Sequence, residues 1–321
     1  MQTVKIRLGI SSCLLGNKVR FDGGHKHNDY ITATLGQYFE FVPFCPETEA
    51  GLGIPRPPIH LVKQAGVIRL LNVRDHQLDV TATLTASSGQ IAKRLDGEDL
   101  CGFILKKDSP SCGMERVKTY IADTPNAPPE RSGTGIFAAS IKQRHPNLPL
   151  EEEGRLCDPV LRENFITRVF IYQRWLNLLG SGLTASKLVA FHADHKYILM
   201  AHHQDGLREL GQLVAQAGNG DLTTLQQEYI SRLMQVVAHK ASRGQHANVL
   251  SHLMGYLHDQ IDRADREELT ETIRHYQQGY LPLIVPITLL KHHFRRHPHP
   301  YIDRQHYLTP HPGELMLRNE V

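Results

Sequence analysis

Lys106-Lys107-Asp108-Ser109-Pro110-Ser111-Cys112-Gly113 follows the short apolar run Gly102-Phe103-Ile104-Leu105. That run reads as a buried strand. Pro110 fixes its own φ and Gly113 tolerates unusual backbone angles, so the segment predicts a tight loop presenting Ser109, Ser111 and Cys112 together. A turn accounts for the serines, the proline and the glycine. It does not account for a thiol.

The same arrangement occurs twice more. The strand-like run Lys5 to Ile10 leads into Ser11-Ser12-Cys13 and then Gly16, and Phe39 to Val42 leads into Pro43-Phe44-Cys45-Pro46-Glu47. In an open parallel sheet, chemistry gathers beyond the carboxyl ends of the strands. If the three strands share one sheet, Cys13, Cys45 and Cys112 converge on one point.

The surrounding pattern agrees. Asn28 to Gln37 predicts a helix with Asn28 as N-cap, and Thr81 to Leu95 predicts another. Gly66 to Val73 and Gln77 to Val80 predict strands around an Arg74-Asp75 turn, and Gly133-Thr134-Gly135 precedes a helix running to about Arg144. Strands alternating with helices imply an α/β domain with a mainly parallel sheet. From Glu151-Glu152-Glu153 the pattern changes. Pro159 opens a long helix to about Leu179, with Val160, Phe165, Val169, Tyr172 and Leu176 on one side. Helices are expected at about 184–201, 206–217, 221–241, 245–262 and 265–278, and Tyr280 to Leu290 breaks into a basic cluster, Lys291 to Arg296. The expected organisation is an α/β domain over 1–158 and an all-α domain over 159–321.

The composition is that of an ordinary soluble protein of 321 residues, 40% hydrophobic and 21% charged with a net charge of +3. No signal core or membrane-length apolar run is present, so a cytoplasmic location and no membrane partner are expected. In a reducing compartment, five cysteines point to metal ligation, nucleophilic chemistry or core packing before disulfides. Fifteen of the 20 histidines fall after residue 150.

No CxxC occurs, which excludes a zinc ribbon and a ferredoxin-type local cluster. Three cysteines from distant loops suit an iron–sulfur cluster with one iron free to bind substrate. A zinc site, a nucleophilic cysteine and unrelated buried cysteines remain alternatives on spacing alone. Cys101 and Cys157 lack the strand–loop setting and read as structural. Glu47, two residues after Cys45, and the hydroxyls of Ser109 and Ser111 would supply acid–base groups beside such a metal.

In the second half, His192, His195, His202 and His203 fall roughly on one helical face, suiting a metal, a phosphate-bearing partner or plain solvation. Lys291-His292-His293-Phe294-Arg295-Arg296-His297, followed by Tyr301, Arg304 and Tyr307, mixes cations with aromatic rings, as phosphate contact and base stacking require.

Ser11-Ser12-Cys13-Leu14-Leu15-Gly16, Arg20-Phe21-Asp22-Gly23-Gly24, Cys45-Pro46-Glu47 and Ser109-Pro110-Ser111-Cys112-Gly113 closely resemble, in this order, the motifs of the thiouracil desulfidase family. The resemblance covers about residues 5–158. It implies a Rossmann-like domain with a [4Fe-4S] cluster held by Cys13, Cys45 and Cys112, and catalytic roles for Glu47 and for Ser109 or Ser111, with Ser109 favoured. The second half resembles the α-helical domain fused to some desulfidases, through Phe191–Tyr197, Asn248–Tyr256 and Pro282–Leu290. The fused form is similar to tRNA 4-thiouridine desulfidases. That implies tRNA carrying 4-thiouridine as substrate, with Lys291, Arg295, Arg296 and Arg304 among its contacts. A desulfidase of free thiouracil or another small thioamide, and an iron–sulfur sensor that binds nucleic acid, are the rival readings.

Overall fold

In chain order the first half carries β1 (Ile6–Ser11), β2 (Phe39–Phe44), the short α1 (Pro46–Glu49), β3 (Ile59–Gln64), β4 (Val67–Asn72) and α2 (Thr81–Arg94). Then follow β5 (Phe103–Leu105), β6 (Val117–Ile121), β7 (Glu130–Gly133), α3 (Ile136–Arg144) and β8 (Leu150–Glu152). These come from a computed structural model that describes residues 5–122, 124, 127–218 and 220–321. The chain divides into two compact units, Met1–Cys157 and Asp158–Val321.

The first sheet has the order β2-β1-β5-β8 with every neighbour parallel. Ser11 pairs with Phe44, and Ile10 with Ile104, so β1, β2 and β5 end side by side. Leu8, Ile10, Phe103, Ile104 and Leu105 are fully buried. Near-continuous apolar runs of this kind mark strands covered on both faces. Gly9 is required by close approach, since a Cβ there would sit 2.2 Å from the Phe103 ring. The α/β, Rossmann-like expectation holds for this unit.

A second, mixed sheet of order β4-β3-β6-β7 departs from the expectation. β4 pairs antiparallel with β3 and not with 77–80, where only a single bridge, Leu71 to Asp79, forms. The hairpin turns at Ala65 and Gly66, both at positive φ, 47° and 80°. That is the backbone of a two-residue hairpin turn, but the pair lacks the Asn-Gly or Asp-Gly signature that would announce it. Leu61, Leu70, Leu84 and Val117 pack together and hold α2 on this sheet. The helix expected over Asn28–Gln37 is a wide turn at Tyr30–Thr34 followed by a 3₁₀ turn at Leu35–Gln37. Asn28 Oδ1 does accept from Ile31 N at 3.1 Å.

The second unit is helical, as expected. It holds α4 (Pro159–Gly180), α5 (Ala185–His202), α6 (Gln204–Val214), α7 (Leu222–Ala238), α8 (Arg243–Gly255), α9 (Arg263–Gln278), α10 (Ile284–Arg296) and the short α11 (Pro300–Asp303). Asp158 caps α4 by accepting from Val160 N and Leu161 N, and Ser242 with Gln245 forms a capping box on α8. Trp175, Phe191 and Tyr229 cluster in the core, with Trp175 5.5 Å from each of the other rings, edge-on to Phe191 and tilted against Tyr229. On α4, Phe165 and Val169 are buried as expected, but Val160 is exposed, and Ile166, Ile171 and Trp175 complete the inner face.

Two expectations are corrected here. The histidine face of α5 is not solvated: His195 and His202 are 1% and 4% exposed. Because apolar neighbours pack around α5, these two become core residues, while His192 and His203 are half-buried. Nor does the chain break after Leu290, because α10 runs through the basic cluster to Arg296. Among the described residues, no helix is long and apolar enough to cross a membrane.

Candidate active site

Beyond the carboxyl ends of β1, β2 and β5, Cys13, Cys45 and Cys112 line one cavity of about 370 Å³. Each reaches it differently. Cys13 lies in a 3₁₀ turn over Ser12–Leu15 directly after β1. Cys45 is the residue between β2 and α1. Cys112 comes from the loop after β5, which is braced from three sides. Ser11 Oγ accepts from Lys106 N at 2.9 Å, tying the start of this loop to β1. Ile136 N donates to Pro110 O at 3.2 Å and Phe137 N to Ser111 O at 2.9 Å, so the free amides of the first turn of α3 are spent on loop carbonyls. Gly135 permits this approach, since a Cβ there would lie 2.4 Å from Ser111 O.

The third brace is β8 with the residue after it. Glu151, Glu152 and Glu153 are all buried, at 3%, 6% and 8% exposure. Glu153 accepts from Lys107 N at 2.7 Å and pairs with the Lys106 ammonium. Glu152 accepts from Met114 N at 2.7 Å, and Glu151 pairs with Arg155 at 2.6 Å. Glu153 and Glu152 therefore grip the two ends of the segment 106–114, and Glu151 holds Arg155. In sequence they read as the edge of a domain, because a run of three glutamates resembles a solvated strip.

Burial pushes the Cys13 thiol up to about 11, against the pull of the nearby Arg20 and Lys106 charges. Cys112 is pushed well above the usual thiol range, again by burial, while the Ser11 hydroxyl opposes. Cys45 raises both neighbours further. The desolvated thiols of Cys13 and Cys112 lack stabilisation as bare thiolates, and metal coordination would supply it. Among the described residues, no three His, Cys, Asp or Glu side chains are grouped closely enough to hold a single metal ion. Soft thiol donors spread around a shared cavity fit a polynuclear iron–sulfur group. Cys101 is buried and Cys157 exposed, and neither lines the cavity.

Glu47 enters the cavity from α1. Arg56 donates to its Oε2 from Nε at 2.9 Å and from Nη2 at 2.6 Å, and the Ser111 hydroxyl donates to its Oε1. Arg56 is 8% exposed and is itself fixed by Gly53 O and Val19 O, each at 2.9 Å.

The two serines of the Cys112 loop separate cleanly. Ser109 lines the cavity, and its Oγ accepts from Ser111 N at 3.3 Å and Cys112 N at 3.1 Å, leaving its proton to donate. Ser111 is 1% exposed, lies outside the lining and spends its proton on Glu47.

Residues 8–153 match the family described as 2-thiouracil desulfurase, and residues 196–312 match one described as a protein of unknown function, DUF1722. The uncharacterized protein YbgA of Escherichia coli K12 is 30% identical over 158 residues, 49% of this chain and 94% of that protein. The chain belongs to the 2-thiouracil desulfurase family in its first half and to the DUF1722 family in its second. A solved structure titled [4Fe-4S]-dependent thiouracil desulfidase TudS is similar at 26% identity and a TM-score of 0.39, covering 48% of this chain and 95% of that one.

Within the desulfurase domain, sequence reasoning missed Arg56 and the acids Glu151, Glu152 and Glu153. Arg56 sits in the irregular segment Gly51 to Pro58, where an arginine beside three prolines carries no periodic signal. In the DUF1722 region, Lys291, Arg295 and Arg296 lie on α10 and are exposed. Arg304 is exposed too, but it is paired with Asp194 at 2.7 Å, so much of its charge is already compensated.

Proposed function

We propose that the protein removes sulfur from 4-thiouridine in tRNA, giving uridine and sulfide, with a [4Fe-4S] cluster held by Cys13, Cys45 and Cys112. The observation that carries the reading is the shared cavity, which collects three thiols from three strand ends together with Glu47 and Ser109. With three protein thiolates, the cluster would supply one iron free to act as a Lewis acid toward a soft thiocarbonyl sulfur.

The chain's own groups do the rest. Glu47, held rigid by Arg56 and Ser111, orients a water and takes its proton as the water oxygen bonds to the ring carbon. Ser109, fixed by two backbone amides, relays the second proton: its hydroxyl proton passes toward the departing sulfur and is replaced by the proton left on the attacking oxygen. The C–S bond breaks as the C–O bond forms, and sulfur leaves as sulfide. Carbon exchanges sulfur for oxygen at the same oxidation level, so no electron donor or acceptor is needed.

The tRNA part rests on the second unit. Lys291, Arg295 and Arg296 are exposed cations, and their charge supports phosphate contact. A second reading, desulfidation of free thiouracil or a related small thioamide, is favoured by the family's description and by a cavity of small-molecule size. A comparison decides between them: turnover of 4-thiouridine in tRNA against free 4-thiouracil, using anaerobically reconstituted full-length protein. A tRNA kcat/KM at least ~10²-fold higher is expected, and equal or lower values would support the free-base reading. No turnover of either would leave the sensor reading.

A further inference from the structure

Lys291 and Arg295 stand one helical turn apart on α10 and are exposed. They form the shared wall of two cavities in the helical unit, of about 510 Å³ and about 360 Å³. Charges nearby go elsewhere. Arg304 pairs with Asp194, and Arg318 faces Glu163 at 3.5 Å. Lys291 and Arg295 are left without a carboxylate partner among the described residues. Like charges at this spacing repel, and an anion seated between them relieves the repulsion.

The smaller cavity adds two further features. Gln305 is part of its lining and only 2% exposed. Its Nε2 donates to Ala193 O at 2.8 Å and Tyr301 O at 3.4 Å, which fixes the orientation of the amide. Its Oε1 is buried and accepts no hydrogen bond. A buried acceptor without a donor is costly, and a ligand N–H would satisfy it. Asp303, exposed, is the carboxylate in the same lining. A carboxylate would repel a phosphate placed against it, but it is a suitable acceptor for a ribose 2′-hydroxyl, as in nucleotide sites where an acid binds the ribose. Phe294, Ile302 and Leu308 supply the apolar wall.

We propose that this smaller cavity is a ribonucleotide site, with the phosphate held by Lys291 and Arg295, the ribose 2′-hydroxyl by Asp303 and a ring N–H by Gln305 Oε1. The volume lies within the ~300–1,000 Å³ of small-molecule sites. The inference deepens the tRNA reading and rests on it only for the source of the nucleotide, which is either one residue of an RNA chain or a free nucleotide.

Calorimetric titration of the full-length protein with unthiolated UMP, dUMP, uridine and inorganic phosphate tests the site without any turnover. UMP is expected to bind saturably and at least ~10-fold more tightly than uridine or phosphate alone, because both halves are recognised. Arg295→Ala should weaken UMP at least ~10-fold. Asp303→Asn should weaken UMP and leave dUMP nearly unchanged. Both substitutions are at exposed positions, so circular dichroism of each variant provides the folding control. A ten-nucleotide single-stranded RNA displaced by UMP identifies an RNA source. An RNA that does not compete identifies a free nucleotide. Absence of saturable UMP binding overturns the proposal. So does UMP binding in the Arg295→Ala/Asp303→Asn double variant equal to that of the native protein, which puts the nucleotide elsewhere. Because no thiolated substrate is used, these results stand whether or not tRNA is desulfurated.

Discussion

Arg56 and Glu47 form a nearly enclosed ion pair in which two guanidinium nitrogens converge on one carboxylate oxygen, with the side chains 4% and 14% exposed. The second carboxylate oxygen faces the Ser111 hydroxyl. Glu47 therefore has one orientation, set by residues from two other segments. Arg56→Ala should lower kcat by ~10²-fold or more, the scale of losing a positioned acid–base group, while the visible absorbance of the cluster persists. Arg56→Lys keeps the charge but not the double donation, and should recover only part of the rate. Equal rates in Arg56→Ala and the native protein would make the ion pair purely architectural.

The two serines should separate by the kind of damage. Ser109→Ala removes a cavity hydroxyl and the acceptor of two amides, so it should cost ~10²-fold or more in kcat. Ser111→Ala leaves Glu47 tethered by Arg56 and should cost less, with a shifted pH–rate profile as the signature of a looser carboxylate. Single-turnover rates across pH 5–9 measure both.

Thiol chemistry offers an independent check on which cysteines are spare. Cys157 is exposed, whereas burial holds the Cys101 thiol at about 12. Alkylation at pH 8 of the native, cluster-loaded protein should label Cys157 within minutes and spare Cys101, because the thiolate is the reactive form. Peptide mass mapping reads the result. Rapid labelling of Cys101 would show that its pocket opens.

Acid should unfold the helical unit earlier than its size suggests. Burial pushes His246 down to about 3, and His306 and His311 to about 4. A folded-state value below the unfolded one means that stability is complete above about pH 6.5 and is lost as pH falls toward 4, where the unfolded chain takes up protons that the folded chain refuses. One histidine displaced this far costs about 2 kcal/mol at pH 5. Glu163, held low by Arg318 and neighbouring histidines despite its burial, acts in the same direction. Urea midpoints at pH 7 and pH 5 should differ accordingly, and a midpoint independent of pH over this range would contradict the burial of these rings.

Much of this was readable in the chain because it depends on local order. Cys13, Cys45 and Cys112 stand at the ends of short apolar runs, and parallel pairing alone brings such ends together. The helices of the second unit carry their own caps, as at Asp158 and Ser242. What escaped depends on distant partners. Arg56 acquires its role only when Val19, Glu47 and Gly53 close around it. Glu151 to Glu153 look solvated until Arg155, Lys106 and the amides of Lys107 and Met114 are found beside them. The α5 histidines misled for the converse reason. Helical spacing showed that they share a face, but not that the face is inside.

The proposed iron–sulfur group requires Cys13, Cys45 and Cys112 together. Iron and acid-labile sulfide content of protein prepared without oxygen, with its visible spectrum, tests this most directly across the native chain and five single Cys→Ala variants. Close to four irons and four sulfides per native chain are expected, the composition of a [4Fe-4S] cluster. Both should be depleted in the variants at 13, 45 and 112 and retained in those at 101 and 157. Full iron and sulfide retention in Cys112→Ala would contradict that requirement.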